Sequence, residues 1–344
     1  MKRVNSNDIA RLAGVSRSTV SRVINNYPNV PEETRQRVMK IIRENHYYPQ
    51  LSGQMLNGMR NKTIGLFWLS RSSIALDSLS SSYFMNIIDA ASARDYLVLS
   101  CVLDNLTDEK NIRFVRKVFM EGRIDGGIFI GPNSNDPLIT ELAEGGEIVG
   151  VFDFDTSSIQ STSLIAANFE SDSGEHAVDY LYKLGHRRIA IIDGDMSRLS
   201  SFQRHESYMR SMLRHGLTLR NDWLTYGGIT QKSGYQAAKR MLESCMGDLP
   251  TAICANNDAV AFGVYDACRE LGLRIPEDIS VIGIDGHSHG AEIQPPLTTI
   301  GFKFRSIFTS LTSRVIDAIE EQSDIPQAEA FTGVLIERAS CREV

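Results

Sequence analysis

The sequence predicts a small all-α head carrying a helix-turn-helix, followed by an α/β body built on parallel sheets. Three observations support this. Positive charge is concentrated before Thr63, and apolar residues there recur at helical spacing on both sides of a glycine. Beyond Lys62, short apolar runs alternate with amphipathic stretches. At 344 residues the chain is too long for one small core and suggests roughly two or three domains.

Composition excludes several classes. With 42% hydrophobic and 23% charged residues, the chain resembles neither a disordered nor a collagen-like polymer. No stretch approaches the roughly 18–20 apolar residues of a membrane helix. Met1-Lys2-Arg3 is followed by no apolar segment, so a secretory signal is not expected. Cys101, Cys245, Cys254, Cys268 and Cys341 show no CxxC spacing, which disfavours a zinc site or a disulfide framework and fits a reducing cytoplasm. The expectation is a soluble, cytoplasmic protein with no membrane partner, cofactor or metal.

The net charge of -6 conceals an asymmetry. Met1 to Lys62 holds eleven basic and four acidic residues, a surplus of +7, leaving -13 for the remainder. A basic head on an acidic body suggests that the head meets a polyanion. A solvated basic face is the plainer account of charge alone, and the local pattern argues against it.

Asn5 is placed to cap a first helix, with Asp8 at the favourable end of its dipole. Ile9, Ala10 and Ala13 form its apolar face, and Gly14 suits the left-handed stop. Val15 plugs the turn. Ser16 caps a second helix whose inner stripe is Thr19, Val20, Val23 and Ile24, while Arg17, Ser18, Ser21, Arg22 and Asn25 point outward. Such donors on a helix's first turns suit a major groove, where base edges present acceptors, so Ser16, Arg17, Ser18, Thr19, Ser21, Arg22 and Asn25 are the candidate DNA-binding residues of the head. A third helix is expected from about Pro31 to His46, packing Val38, Ile41 and Ile42 inward.

In the body, strands are expected at Ile64–Leu69, Leu97–Val102, Gly126–Ile130, Ile148–Phe152, Ile189–Ile192, Ala252–Ala255 and Ser280–Ile284. Helices fall between them, among them Tyr83–Arg94, Ser173–Leu184 and Ala259–Leu271. This alternation implies parallel sheets with right-handed crossovers, which bind ligands beyond the carboxyl ends of their strands.

The string from Asp8 to Asn25, followed by Val30-Pro31-Glu32-Glu33-Thr34-Arg35, closely resembles the head of the LacI/GalR (lactose-repressor) family of bacterial transcriptional regulators. The resemblance continues through Tyr48-Pro49, Thr63-Ile64-Gly65-Leu66, Leu184-Gly185-His186-Arg187-Arg188-Ile189, Ala255-Asn256-Asn257-Asp258 and Ile275 to Val281. It closes with Pro295-Pro296-Leu297-Thr298-Thr299-Ile300, so it spans nearly the whole chain.

The resemblance implies a head (1–48), a hinge (49–62) and an effector-binding and dimerisation body (63–344). It also implies that the body is two parallel-sheet lobes around a cleft, like the periplasmic sugar-binding proteins. The N-lobe would comprise about 63–165 and 298–326, and the C-lobe about 166–297 and 327–344. In the family the hinge becomes helical on operator DNA and pushes a leucine into the minor groove, and Leu56 holds that position here. Ser52 and Gly53 depart from the better helix formers usual there, and glycine costs about 1 kcal/mol relative to alanine, so a hinge of low intrinsic stability is expected. A flexible linker without DNA contact is the alternative.

For the ligand, the resemblance points to Arg204 as the gripping arginine, to Asn257 with Asp258 at a strand end, to Asp285 ending the next strand and, more weakly, to Asp153. Trp68, Tyr83, Phe84, Phe154, Phe302 and Phe304 are candidate stacking faces, although each ring singly is better explained as core. The chain also departs from the family. The serine-rich stretch between Leu69 and Tyr83 is about six residues longer than usual, Gly286, Gly301 and Phe302 replace common polar residues, and Phe202 stands near Arg204. An atypical pocket is expected, with a sugar or sugar derivative as the effector class.

Gly286-His287-Ser288-His289-Gly290 fits a GxSxG nucleophile elbow. However, Pro295-Pro296 cuts short the helix that an elbow requires, and no histidine follows His289. A surface loop and no enzyme are expected. Two functions of different class remain: a repressor of sugar-utilisation genes that binds a palindromic operator as a homodimer, or a small-molecule binding protein without DNA function. The +7 head favours the first. No heptad run follows Glu337, so a tethered tetramer is not expected.

Overall fold

The computed structural model of the chain describes residues 4–48, 60–69, 78–322 and 325–344. Leu56, the rest of the hinge through Met59 and the serine-rich segment at 70–77 lie outside the described residues. Contacts divide the chain into two units, Met1–Lys62 and Thr63–Val344.

The head is three short helices, α1 (Ser6–Ala13), α2 (Arg17–Ile24) and α3 (Glu32–Glu44). Local signals set their ends. Asn5 Oδ1 accepts from the backbone N–H of Asn7 and Asp8, while Asp8 Oδ2 accepts from Asn5 N–H at 3.1 Å. This reciprocal capping satisfies orphan donors of the first turn. Gly14 ends α1 at φ 65°. Ser16 Oγ accepts from Thr19 N–H to open α2. Ile9, Ala10, Ala13, Val20, Val23, Val30 and Val38 form the core, with Ile24, Ile41 and Ile42 packed against it. Arg35 braces the α2–α3 turn, donating to Asn26 Oδ1 and to the Tyr27 carbonyl.

In the body, the first lobe supplies β1 (Thr63–Leu69), α4 (Ser78–Ser92), β2 (Leu97–Leu103), α5 (Glu109–Met120), β3 (Gly126–Ile130), α6 (Pro137–Glu144), β4 (Val149–Phe152) and β5 (Leu164–Phe169). The second lobe supplies α7 (Ser173–Lys183), β6 (Ile189–Asp193), α8 (Leu199–Arg214), β7 (Leu224–Tyr226), α9 (Gln231–Ser244), β8 (Ala252–Ala255), α10 (Asp258–Glu270), β9 (Ser280–Asp285) and β10 (Thr298–Gly301). The chain then returns through α11 (Phe304–Ile319) and β11 (Ala328–Phe331) to the first sheet and ends through β12 (Val334–Ile336) in the second.

The sheets are ordered β11-β5-β4-β3-β1-β2 and β12-β10-β9-β8-β6-β7. Every pairing is parallel except β10 with β12. Central strands such as Gly-Gly-Ile-Phe-Ile of β3 are buried throughout, as helices on both faces require. Helix α11 lies so close to the first sheet that a Cβ on Gly150 would fall 2.5 Å from Val315.

The lobe limits differ from those expected. Residues 166–169, 298–301 and 328–331 each belong to the lobe opposite the expected one, since β5 pairs with β4, β10 with β9 and β11 with β5. Each crossing falls one strand later because the chain completes its strand before leaving the sheet. Helix α4 also begins at Ser78 rather than Tyr83, taking in Ser80, Ser81 and Ser82.

Candidate functional site

The carboxyl ends of the first sheet's strands and the helix starts of the second enclose a cavity of about 960 Å³. That volume suits a small-molecule site. Trp68, Ile130, Phe152 and Phe169, at the ends of β1, β3, β4 and β5, form the first wall with Tyr83 and Leu79 of α4. Ser200, Ser201 and Arg204 of α8, Thr230 to Lys232 at the start of α9, Asn256, Asn257 and Asp285 form the other.

Arg204 is the best-held of these side chains and is only 4% exposed. Its Nη1 donates to the Asn256 carbonyl at 2.6 Å and its Nη2 to Asp285 Oδ1 at 3.0 Å. The guanidinium carbon sits 5.0 Å from the centre of the Phe169 ring, a cation–π distance. Its Nε has no hydrogen-bond partner among the described residues. Asp285 occupies the left-handed region at φ 131°. Burial pushes its carboxyl upward from the ordinary range, with Arg204 opposing the shift and the neighbouring Asp258 adding to it.

Asp153, at φ 65° just past β4, spans the lobes. Its two oxygens accept from Ser200 N–H and Ser200 Oγ, each at 2.7 Å. Burial pushes this carboxyl up, and the Ser200 bonds pull the other way. The same edge is closed by Ser134 N–H to the Ser197 carbonyl, Ser197 Oγ to Asn133 Oδ1 and Arg198 Nη1 to the Pro132 carbonyl.

The remaining candidates divide. Tyr83 and Trp68 border the cavity, whereas Phe84, Phe154, Phe302 and Phe304 do not. Phe304 packs at a tilt behind Tyr83, with ring centres 4.7 Å apart, and Phe302 behind Phe169 at 4.4 Å, as core. Asn257 borders the cavity, but its amide caps α10 through Val260 N–H and donates to the Ile229 carbonyl. Asp258 is fully buried, accepting from Thr299 Oγ1 and His287 N–H. Phe202 is exposed and outside the cavity.

The 286–290 segment is only in part the expected surface loop: Ser288 and His289 are exposed, His287 and Gly290 are not. His287 is buried, faces the cavity and packs edge-on against Phe262. The chain continues as a short turn, Ser288–Ala291, rather than the helix of a nucleophile elbow. Phe169, Asn256, Lys232, His287 and His289 border the cavity without being expected there. Phe169 and Asn256 sit at strand carboxyl ends, a rule that identifies them once β5 is recognised.

In the head, Arg17, Ser18, Ser21 and Arg22 are exposed. Ser16 is exposed but occupied as a cap, Thr19 is half-buried, and half-buried Asn25 donates to Ser21 Oγ. The first turns of α2 thus present two guanidinium groups and two hydroxyls on one face.

Comparison with known proteins supplies the wider context. Residues 7–50 match the model of bacterial regulatory proteins of the lacI family, and residues 178–341 match a periplasmic binding protein-like domain. The chain is 33% identical over 339 residues to the HTH-type transcriptional repressor PurR of Erwinia tasmaniensis, covering 97% of this chain and 95% of that one. It is 30% identical to the probable HTH-type transcriptional repressor ExuR of Bacillus subtilis, covering 91% of each. The lac repressor dimer bound to operator and the anti-inducer ONPF superposes with a TM-score of 0.81 at 28% identity, covering 99% of this chain and 100% of that one.

Proposed function

The chain belongs to the lacI family of bacterial regulatory proteins, and from that membership we propose that it represses sugar-utilisation genes by binding a palindromic operator as a homodimer. It is a ligand-responsive DNA-binding regulator; the proposal concerns what it binds and with which residues. The observation that carries it is Arg204, held by Asp285 and the Asn256 carbonyl on the wall of an interlobe cavity, with its Nε–H unpartnered among the described residues. That N–H and the amide of Asn256 suit ring hydroxyls, and the opposing Trp68, Tyr83 and Phe169 suit a sugar ring face. A ligand that contacts both lobes favours one lobe arrangement, and only such differential contact alters DNA affinity.

On the DNA side, Arg17, Ser18, Ser21 and Arg22 meet base edges and phosphates. Ser16, Thr19 and Asn25 hold α2 in position beside them, and Leu56 is assigned the minor-groove wedge. The dimer face is assigned to β2, an edge strand of the first sheet with exposed Leu97, Leu99 and Val102, together with exposed Met85 and Phe114. An apolar unpaired edge needs covering, and a second copy provides it. The reading places the protein in the cytoplasm, without enzymatic activity; among the described residues no helix is long and apolar enough to cross a membrane.

Fluorescence anisotropy on a palindromic duplex from the protein's own promoter region tests this reading. Log K should fall steeply with log salt as phosphate counterions are released. A flat salt response with no protected footprint would leave only the rival, a ligand-binding protein without a DNA target.

A further inference from the structure

The charged groups around the cavity are not evenly used, and the imbalance bears on the ligand's class. This inference rests on the cavity being the effector site. Its acceptors are largely taken. Both Asp153 oxygens serve Ser200, Asp285 Oδ1 serves Arg204, and the mostly exposed Glu292 stands 3.3 Å from His289. Its cations are less committed. Arg204 keeps an unpartnered Nε beside its ion pair with Asp285, and Lys232 has no salt-bridge partner among the described residues. The second-lobe wall is also formed by the N-terminal turns of three helices, at Ser200, at Thr230 to Lys232 and at Asn257 to Ala259. Such termini favour negative charge, and one of them already holds the Asp153 carboxylate.

We propose that the effector is an anion: a hydroxylated small molecule bearing a carboxylate or phosphate, its acid group against the second-lobe wall with Arg204 and Lys232 as cationic partners. Asn256 Oδ1, buried and unpartnered, takes one hydroxyl, and the ring lies toward Phe169 and Trp68. A neutral polyol makes poorer use of this wall, because its hydroxyl protons need acceptors that Asp153 and Asp285 have largely committed.

The test is calorimetric titration of the full chain at constant ionic strength with acid and neutral partners: glucuronate and glucose 6-phosphate against glucose, and galacturonate against galactose. At least one acid should bind ten-fold or more tightly than its neutral parent. Lys232 is exposed, so Lys232→Met tests its charge without disturbing the core; it should weaken that acid at least three-fold and weaken it more than the parent. A neutral sugar that binds as well as its acid, or neutral binding with every acid silent, overturns the anionic class and leaves the effector cleft intact. An acid whose affinity Lys232→Met does not change overturns the assigned partners. Silence of acids and neutrals alike overturns the anionic class and counts against the cleft itself.

Discussion

Asp153 on the first lobe and Ser200 on the second are joined by two hydrogen bonds of 2.7 Å, one from the Ser200 backbone and one from its hydroxyl. Both residues are buried at the edge of the cavity. The pair is a direct tie across the cleft and places a carboxylate on the first turn of α8, where the helix dipole favours it. Removing Asp153 leaves a buried N–H without its acceptor, worth about 1–3 kcal/mol. Asp153→Ala should therefore speed amide hydrogen exchange at Ser200 at least ten-fold and lower Tm. Unchanged exchange at Ser200 would show that the tie does not hold the lobes.

Arg204 and Asp285 predict a non-additive response. Their side chains are 5% and 14% exposed, so removing either partner leaves a charge in a poorly solvated site. Arg204→Ala should destabilise the body by about 3 kcal/mol, measured by urea unfolding. The double variant Arg204→Ala, Asp285→Ala should lose clearly less than the two single losses combined. Additive losses would mean that the pair is not energetically coupled.

The same carboxyl gives a pH signature. Burial raises Asp285 above its unfolded value, so the folded state binds the extra proton. Its stabilising contribution is complete below about pH 4, the unfolded carboxyl range, and is lost as pH rises through the raised folded value. Asp285→Asn removes that dependence. The Tm difference between variant and wild type should move in the variant's favour from pH 5 to pH 8. A difference that stays constant, or moves the other way, contradicts the assigned shift.

In the head, neighbouring residues should separate by phenotype. Arg22 is exposed on α2, whereas Ser16 Oγ accepts from Thr19 N–H. Arg22→Ala should weaken operator binding by about 10–100-fold, as expected for a lost base contact of about 1–3 kcal/mol. It should leave Tm unchanged. Ser16→Ala should lower the stability of the head by about 1 kcal/mol through the lost cap. Anisotropy and thermal unfolding of both variants distinguish the roles, and an Arg22→Ala protein with full operator affinity would remove that arginine from the interface.

What could be read in the sequence depended on the range of the signal. The caps at Asn5 and Ser16 and the stop at Gly14 act over three or four residues, and each is found where the residue types imply. The strand Leu164–Phe169 escapes a sequence reading because nothing local separates an apolar run at a crossing from a buried strand; its pairing with β4 decides. Phe169, which lies under Arg204, escapes with it. Likewise, His287 looks polar and exposed in sequence, yet Asp258 draws its N–H inward and Phe262 covers its ring. Asn257 combines two roles that the sequence does not separate, since the residue borders the cavity as the resemblance implies while its amide caps α10.

The polypeptide passes between the two sheets three times, after β5, after β10 and between β11 and β12. Three covalent tethers leave two rigid bodies little freedom to slide or separate, so the relative movement that remains is chiefly a swivel about a line near those passages. Whatever settles in the cleft is therefore registered as an angle, and a displacement of a fraction of an ångström at Arg204 grows with distance from the pivot line.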